Sequence, residues 1–202
     1  MKNSYLFILV LILFCVSLQG YAQNSIRLPK STIAPLIDGV LGEEWNDANA
    51  VSIQITPIWS VTVSYKYDVE YLYIAFENLA SMEGLRVTPE ILIATNLVPI
   101  KSWNNDTYWF HSSYSNCEGK GEYYNWKNCE TNHPDWQANT IPFKNGNNNI
   151  EFKISWSKLQ IAPNPDLNIG IAFKLSDALE KQHYWPELAT ISNPATWGVL
   201  KF

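Results

Sequence analysis

Four short stretches of the chain set aromatic rings beside amides and carboxylates. They are Trp103-Asn104-Asn105-Asp106-Thr107-Tyr108-Trp109, Tyr123-Tyr124-Asn125-Trp126, Asp135-Trp136-Gln137 and Tyr184-Trp185-Pro186-Glu187. A flat ring stacks on the apolar C–H face of a sugar, while planar amides and carboxylates pair with its hydroxyls. The chemistry these stretches favour is therefore saccharide recognition. Trp103, Trp126, Trp136 and Trp185 stand among polar and turn residues, where a core role is hard to supply. Of these, Trp103, Trp126 and Trp185 are the preferred stacking platforms. Trp109 shares a strand face with His111 and divides evenly between core and ligand. Asp106 and Glu187 are candidate acceptors for hydroxyls, each with an alternative role as a turn or strand-end carboxylate. Arg86, with Arg27 one of two arginines, is a candidate hydroxyl partner, set against a plain solvated charge. Trp45, Trp156 and Trp197 read as core.

Other chemistries find less in the chain. A glycoside hydrolase needs two carboxylates ~5–9 Å apart, one as acid and one as nucleophile or base. Glu118, Glu122 and Glu130 are available, with Asp106 or Asp135 as a partner, yet nothing sets them apart from ordinary loop acids. A nucleophile elbow, a Ser/His/Asp set and a phosphate loop are absent. The expectation is a protein without catalytic residues. Haem ligation would draw on Met82, His111, His133 or His183, and Met82 falls in a polar turn. No Asp-x-Asp-x-Asp spacing exists for calcium, so no metal ligand is assigned and calcium stays unplaced.

The elements that must hold these residues are mostly strands. Val61, Val63, Tyr65 and Tyr67 alternate with Thr62, Ser64 and Lys66; after the turn Asp68-Val69-Glu70, Leu72, Ile74 and Phe76 alternate again. That pattern predicts a hairpin. Further strands are expected over 91–94, 107–113, 150–156, 168–175 and 197–202, with Ile150, Phe152, Ile154 and Trp156 on one face. Helix signals are confined to a turn or two around Glu43-Glu44-Trp45. The expected fold is all-β: a two-sheet antiparallel β-sandwich, jelly-roll or immunoglobulin-like, with minimal helix. Residues 101–149, crowded with Asn, Trp and Tyr, read as a long loop-rich region, where function commonly sits.

Composition agrees. Of 202 residues, 47% are hydrophobic and only 16% charged, which supports a packed core and rules out disorder as the main state. The net charge of −5 argues against a nucleic-acid binder, which would normally show a basic stripe. Nine Trp and eleven Tyr exceed what one core of this size needs. Lys2, the apolar run from Leu6 to Leu18, and Gly20-Tyr21-Ala22 form a secretory signal peptide over 1–22, cleaved near Ala22. The run is too short to span a membrane. One exported domain over 23–202 remains, with a net charge of −6 because Lys2 is lost. Two cysteines remain as well, Cys117 and Cys129, and an even pair in an oxidising compartment predicts a disulfide.

Three stretches and the chain's end resemble a known family. Pro35-Leu36-Ile37-Asp38-Gly39-Val40-Leu41-Gly42-Glu43-Glu44-Trp45 is similar to the opening of family 9 carbohydrate-binding modules. Tyr67-Asp68-Val69-Glu70-Tyr71-Leu72-Tyr73-Ile74-Ala75-Phe76 resembles the hairpin that follows in that family. Ile150-Glu151-Phe152-Lys153-Ile154-Ser155-Trp156 resembles its late strand, and Asn193-Pro194-Ala195-Thr196-Trp197-Gly198 its closing segment. The resemblance implies a β-sandwich that binds a polysaccharide or oligosaccharide, often beside a secreted glycoside hydrolase in polysaccharide use. It also implies two tryptophans that sandwich a sugar. Where the family places them, this chain has Gly84-Leu85-Arg86-Val87 and Thr190-Ile191-Ser192, without an aromatic. An adhesion or structural module of the cell envelope, with no small ligand, is the alternative.

Overall fold

The computed structural model describes residues 24–97, 101–123, 129–130, 133–139 and 148–202. The expected signal peptide and Trp126 lie outside them. Among the described residues thirteen strands follow in chain order: β1 (Ser25–Arg27), β2 (Asn49–Thr56), β3 (Trp59–Tyr67), β4 (Tyr71–Glu77), β5 (Val87–Ala94), β6 (Thr107–Ser112) and β7 (Asn116–Lys120) come first. Then come β8 (Cys129–Glu130), β9 (Trp136–Ala138), β10 (Ile150–Ser155), β11 (Asn168–Asp177), β12 (Gln182–Trp185) and β13 (Gly198–Lys201). The five-stranded sheet runs β2-β3-β4-β10-β9. The eight-stranded sheet runs β1-β13-β11-β5-β6-β7-β8, with β12 added beside β11. Neighbours are antiparallel except β1 and β13. This is the expected β-sandwich, with one parallel pair at an edge and, among the described residues, helix only in α1 (Trp156–Leu159) and short 3-10 turns.

Alternation explains the packing. In β3, Val61, Val63 and Tyr65 turn inward while Ser60, Thr62 and Ser64 face out. The expected hairpin forms with β4: the Asp68 carboxylate accepts the Glu70 and Tyr71 backbone N–H groups, both at 2.8 Å. Between the sheets, Phe76 meets Phe173 edge to face at 5.9 Å, and Ile150, Phe152 and Ile154 share one buried face. Trp156 departs from the expectation. It opens α1 rather than ending a strand, because the Ser155 hydroxyl caps the helix by accepting the Lys158 N–H at 3.1 Å. It remains core, donating its indole N–H to the Asp68 carbonyl at 2.9 Å.

A strap over residues 33–48 covers the outer face of the five-stranded sheet. Its anchor is Glu151 on β10, fully buried. One carboxylate oxygen accepts the Trp45 indole N–H at 2.7 Å, and the other accepts the backbone N–H groups of Gly39 at 2.6 Å and Asp38 at 3.1 Å. Gly39 has φ +87°, a left-handed turn that glycine adopts without strain. Thus the opening stretch and the late-strand glutamate, distant in sequence, are two halves of one hydrogen-bonded joint. Burial pushes the Glu151 pKa up, against the pull of the Gly39, Trp45 and Asp38 donors. Beside it, the buried Lys66 ammonium donates to Asp47 at 2.7 Å and to the Ile33 carbonyl at 2.9 Å.

Candidate functional site

The opposite outer face, on the eight-stranded sheet, carries the more unusual chemistry. Register places Lys174 of β11 and His111 of β6 on either side of Glu90 in β5. The Lys174 ammonium donates to Glu90, to the Ser176 hydroxyl at 2.8 Å and to the Tyr123 hydroxyl at 3.0 Å. The second Glu90 oxygen accepts the Trp109 indole N–H at 2.6 Å and the Tyr123 O–H at 2.8 Å. Glu90 is 3% and Lys174 2% exposed, so this is a buried ion pair with every strong partner engaged. His111 stacks on Trp109 at 6.0 Å and pairs with the Ser113 hydroxyl at 2.9 Å; burial holds its pKa below the ordinary range and favours the neutral ring.

Above the ion pair lies a layer of half-buried rings. Tyr123 contacts Trp109 edge to face at 5.7 Å and lies beneath Trp103, also at 5.7 Å. Trp103 packs on Trp197 at 5.6 Å and donates its indole N–H to the Ile191 carbonyl at 2.7 Å. Tyr184 of β12 joins the same cluster, its hydroxyl bonded to the Gln182 amide oxygen at 2.5 Å. Burial and then the Glu90 charge push the Tyr184 pKa up to about 12, so it stays a donor at neutral pH. Exposed Asn104 and Asn105 adjoin Trp103 in sequence. The disulfide Cys117–Cys129 forms as expected, joining β7 to β8 and closing the segment that bears Tyr123.

The expected site residues separate into groups. Trp103 sits in the ring layer, half-buried. Trp109 is wholly buried and Trp136 is 2% exposed, so neither offers a face to a ligand. For both, strand register decides the matter. Trp109 lies under Tyr123, and Trp136 is inserted between the sheets, stacked on Phe152 and donating to Glu118. Trp197 is core as expected, but on this outer face rather than between the sheets. Asp106 belongs to the turn entering β6, its carbonyl accepting the Thr95 N–H at 2.9 Å. Arg86 is exposed at a turn bridged to Ala80. Trp185 and Glu187 line a separate groove on the other side of β12.

Sequence reasoning did not single out Glu90 or Lys174, and took Tyr123 and Tyr184 only as members of two aromatic stretches. The first two carried a signal: each is a charge inside an apolar strand run, between Pro89 and Ile91 and between Phe173 and Leu175. Of the acids considered for hydrolysis, Glu118 and Asp135 do line a common hollow of 260 Å³. Glu118, however, is committed to Lys158 at 2.6 Å and to the Trp136 indole. Met82 is fully exposed, and among the described residues no group of three or more His, Cys, Asp or Glu gathers to hold a metal. No helix among them is long and apolar enough to cross a membrane.

No family model matches the chain, and no curated protein matches it. Its fold is that of family 9 carbohydrate-binding modules. A module of that family from Caldicellulosiruptor kristjanssonii, solved in complex with glucose, superposes with a TM-score of 0.63 over 88% of this chain and 95% of that one, at 15% identity. A structure of a family 9 module from the same organism with cellotriose gives 0.59 over 87% and 93%, again at 15% identity.

Proposed function

We propose that this chain is an exported, non-catalytic saccharide-binding module that contacts its glycan through the ring layer of Trp103, Tyr123 and Tyr184. It would serve polysaccharide breakdown beside a glycoside hydrolase. The observation that carries the reading is the seating of Trp103. The resemblance places a sugar-stacking tryptophan just before Asn193-Pro194, where this chain has Thr190-Ile191-Ser192. Beside that stretch, the Trp103 indole arrives from another loop and donates its N–H to the Ile191 carbonyl at 2.7 Å. Support also comes from the shared fold, whose solved examples hold glucose and cellotriose.

The division of labour is physical. Glu90 and Lys174 satisfy each other and fix Tyr123 from below, so the rings are pre-ordered and little entropy is lost on binding. Asn104 and Asn105 supply amides beside the rings for hydroxyls. No charge cluster drives association, so affinity should be modest and nearly independent of salt. A glycan array followed by calorimetry tests this. Selective binding that falls at least about tenfold in Trp103→Ala is expected, the scale of one lost stacking contact. Folded protein that binds no glycan would overturn the reading in favour of an envelope adhesion module. Unchanged affinity in Trp103→Ala would remove the site.

A further inference from the structure

A second polar recess lies where the two sheets meet at their open edges. β2 ends the five-stranded sheet, β12 borders the eight-stranded one, and the groove between them has a volume of 510 Å³. That lies within the ~300–1,000 Å³ of small-molecule sites. Ser52 and Gln54 line one wall, Gln182, Tyr184, Trp185 and Glu187 the other, and Asn24 closes the end. We propose that this groove is a second saccharide site, selective for neutral oligosaccharides, which opens beside β2 and shares only Tyr184 with the ring layer. The inference rests on the reading of the chain as a saccharide binder.

The side chains are oriented in advance. The Gln54 amide N–H groups are spent on the Thr56 carbonyl and, at 3.1 Å, on the Trp59 carbonyl, which leaves its amide oxygen to accept. The Gln182 oxygen is spent on the Tyr184 O–H at 2.5 Å, which leaves its N–H groups to donate. Glu187, exposed, adds a charged acceptor. A sugar hydroxyl both donates and accepts, so fixed donors and acceptors of this kind suit adjacent hydroxyls. Trp185 supplies the apolar surface. Its ring leans on Phe173 at 5.7 Å, and its far edge lies so close to Gly198 that a Cβ there would stand 2.8 Å away. Among the described lining residues there is one carboxylate and no lysine or arginine. Uronic-acid or sulfated units would therefore meet only repulsion from Glu187, whereas neutral units would not. The floor shows an unmet polar need as well. His183 hydrogen-bonds the Gln54 backbone, while its buried Nε2 has no partner among the described residues.

The test is nuclear magnetic resonance titration of the 15N-labelled protein with cellohexaose, xylohexaose, mannohexaose and trigalacturonate. The Trp185 indole N–H and the Gln54 side-chain amide report the groove; the Trp103 indole N–H reports the ring layer. The expected result is saturable movement of the groove signals with at least one neutral hexasaccharide and none with trigalacturonate. Glu187→Ala and Gln54→Ala, both at exposed positions, should each weaken that movement about fivefold while leaving the Trp103 response unchanged. Gly198→Ala, whose Cβ would press on the Trp185 ring at 2.8 Å and on the Asn24 carbonyl at 3.0 Å, should weaken it too. If Trp103 responds and the groove signals stay still, the second site is wrong while the proposed function stands. Should neither report move, both fall. Movement with trigalacturonate overturns the selectivity for neutral chains.

Discussion

Replacing Lys174 by methionine tests whether the ion pair under the ring layer behaves as its geometry requires. Methionine matches the apolar stem of lysine, so little cavity is created and the change removes the ammonium alone. Glu90, 3% exposed, then keeps the Trp109 N–H at 2.6 Å and the Tyr123 O–H at 2.8 Å as close donors, with the Ser176 O–H at a long 3.5 Å. Breaking a buried pair by removing one partner costs ~3–5 kcal/mol, and the two close donors place this case at the lower end, about 3 kcal/mol. That is a large share of the ~5–15 kcal/mol by which a domain is usually stable. Urea unfolding at pH 7, followed by tryptophan fluorescence, measures it as a lower midpoint with an unchanged slope. The decisive arm is the double variant Glu90→Gln, Lys174→Met. Glutamine removes the stranded charge yet still accepts from Trp109 and Tyr123, so it should restore about 1–2 kcal/mol. A loss under about 1 kcal/mol in the single variant, or a double variant worse than the single, would refute the account.

Glu151→Ala strands the buried Trp45 and Gly39 donors and should cost about 2–5 kcal/mol by the same urea assay, with glycan binding on the opposite sheet retained. Cys117→Ser with Cys129→Ser, a pair separated by 12 residues, should lower stability by about 3 kcal/mol and weaken glycan binding in calorimetry, because the closed segment carries Tyr123. Burial depresses the pKa of both His111 and His183 below the ordinary 6.5. The unfolded chain therefore takes up their protons first, and stability should be full above pH 6.5 and decline as pH falls below it. His111→Gln should flatten that decline in a pH series of urea midpoints. Burial pushes Asp47 up, but hydrogen bonds from Lys66 and Thr32 outweigh it and hold Asp47 at about 2, against the usual 3.8. Its contribution is lost only as pH falls from 3.8 toward 2, so a decline confined to that window would assign the acid sensitivity to Asp47 instead.

The sandwich was legible where one face of a strand is apolar and the other polar. Val61, Val63 and Tyr65 announce β3 because Ser60, Thr62 and Ser64 face water. β7, read Asn-Cys-Glu-Gly-Lys, and β12, read Gln-His-Tyr-Trp, have no such alternation. They are held by the register of β6 and β11, which a local pattern does not contain. Tryptophans divide in the same way. Trp45 was recognisable as core from the stripe it shares with Leu41. Trp136, flanked by Asp135 and Gln137, reads as exposed from its neighbours, yet strand alternation turns it inward while they point out. In a three-residue strand, polar neighbours are what a buried ring should have.

The ring layer, proposed as the binding surface, illustrates why a fold can be plain in a sequence while a candidate site is not. The fold depends on joints such as Glu151 with Trp45, whose two halves lie in the stretches that carry the resemblance. The site depends only on a ring arriving at a given point in space. Trp103 reaches the Ile191 carbonyl across 88 residues of chain, and Tyr123 reaches Glu90 across 33. Stacking needs a flat apolar face and an anchored edge, and any loop that reaches the outer face of the sheet can supply both. A missing tryptophan at residues 190–192 is thus a statement about where the chain places its indole, not about whether the surface has one. The same reasoning makes Trp103, rather than any residue in the closing segment, the position whose loss should weaken the proposed glycan binding most.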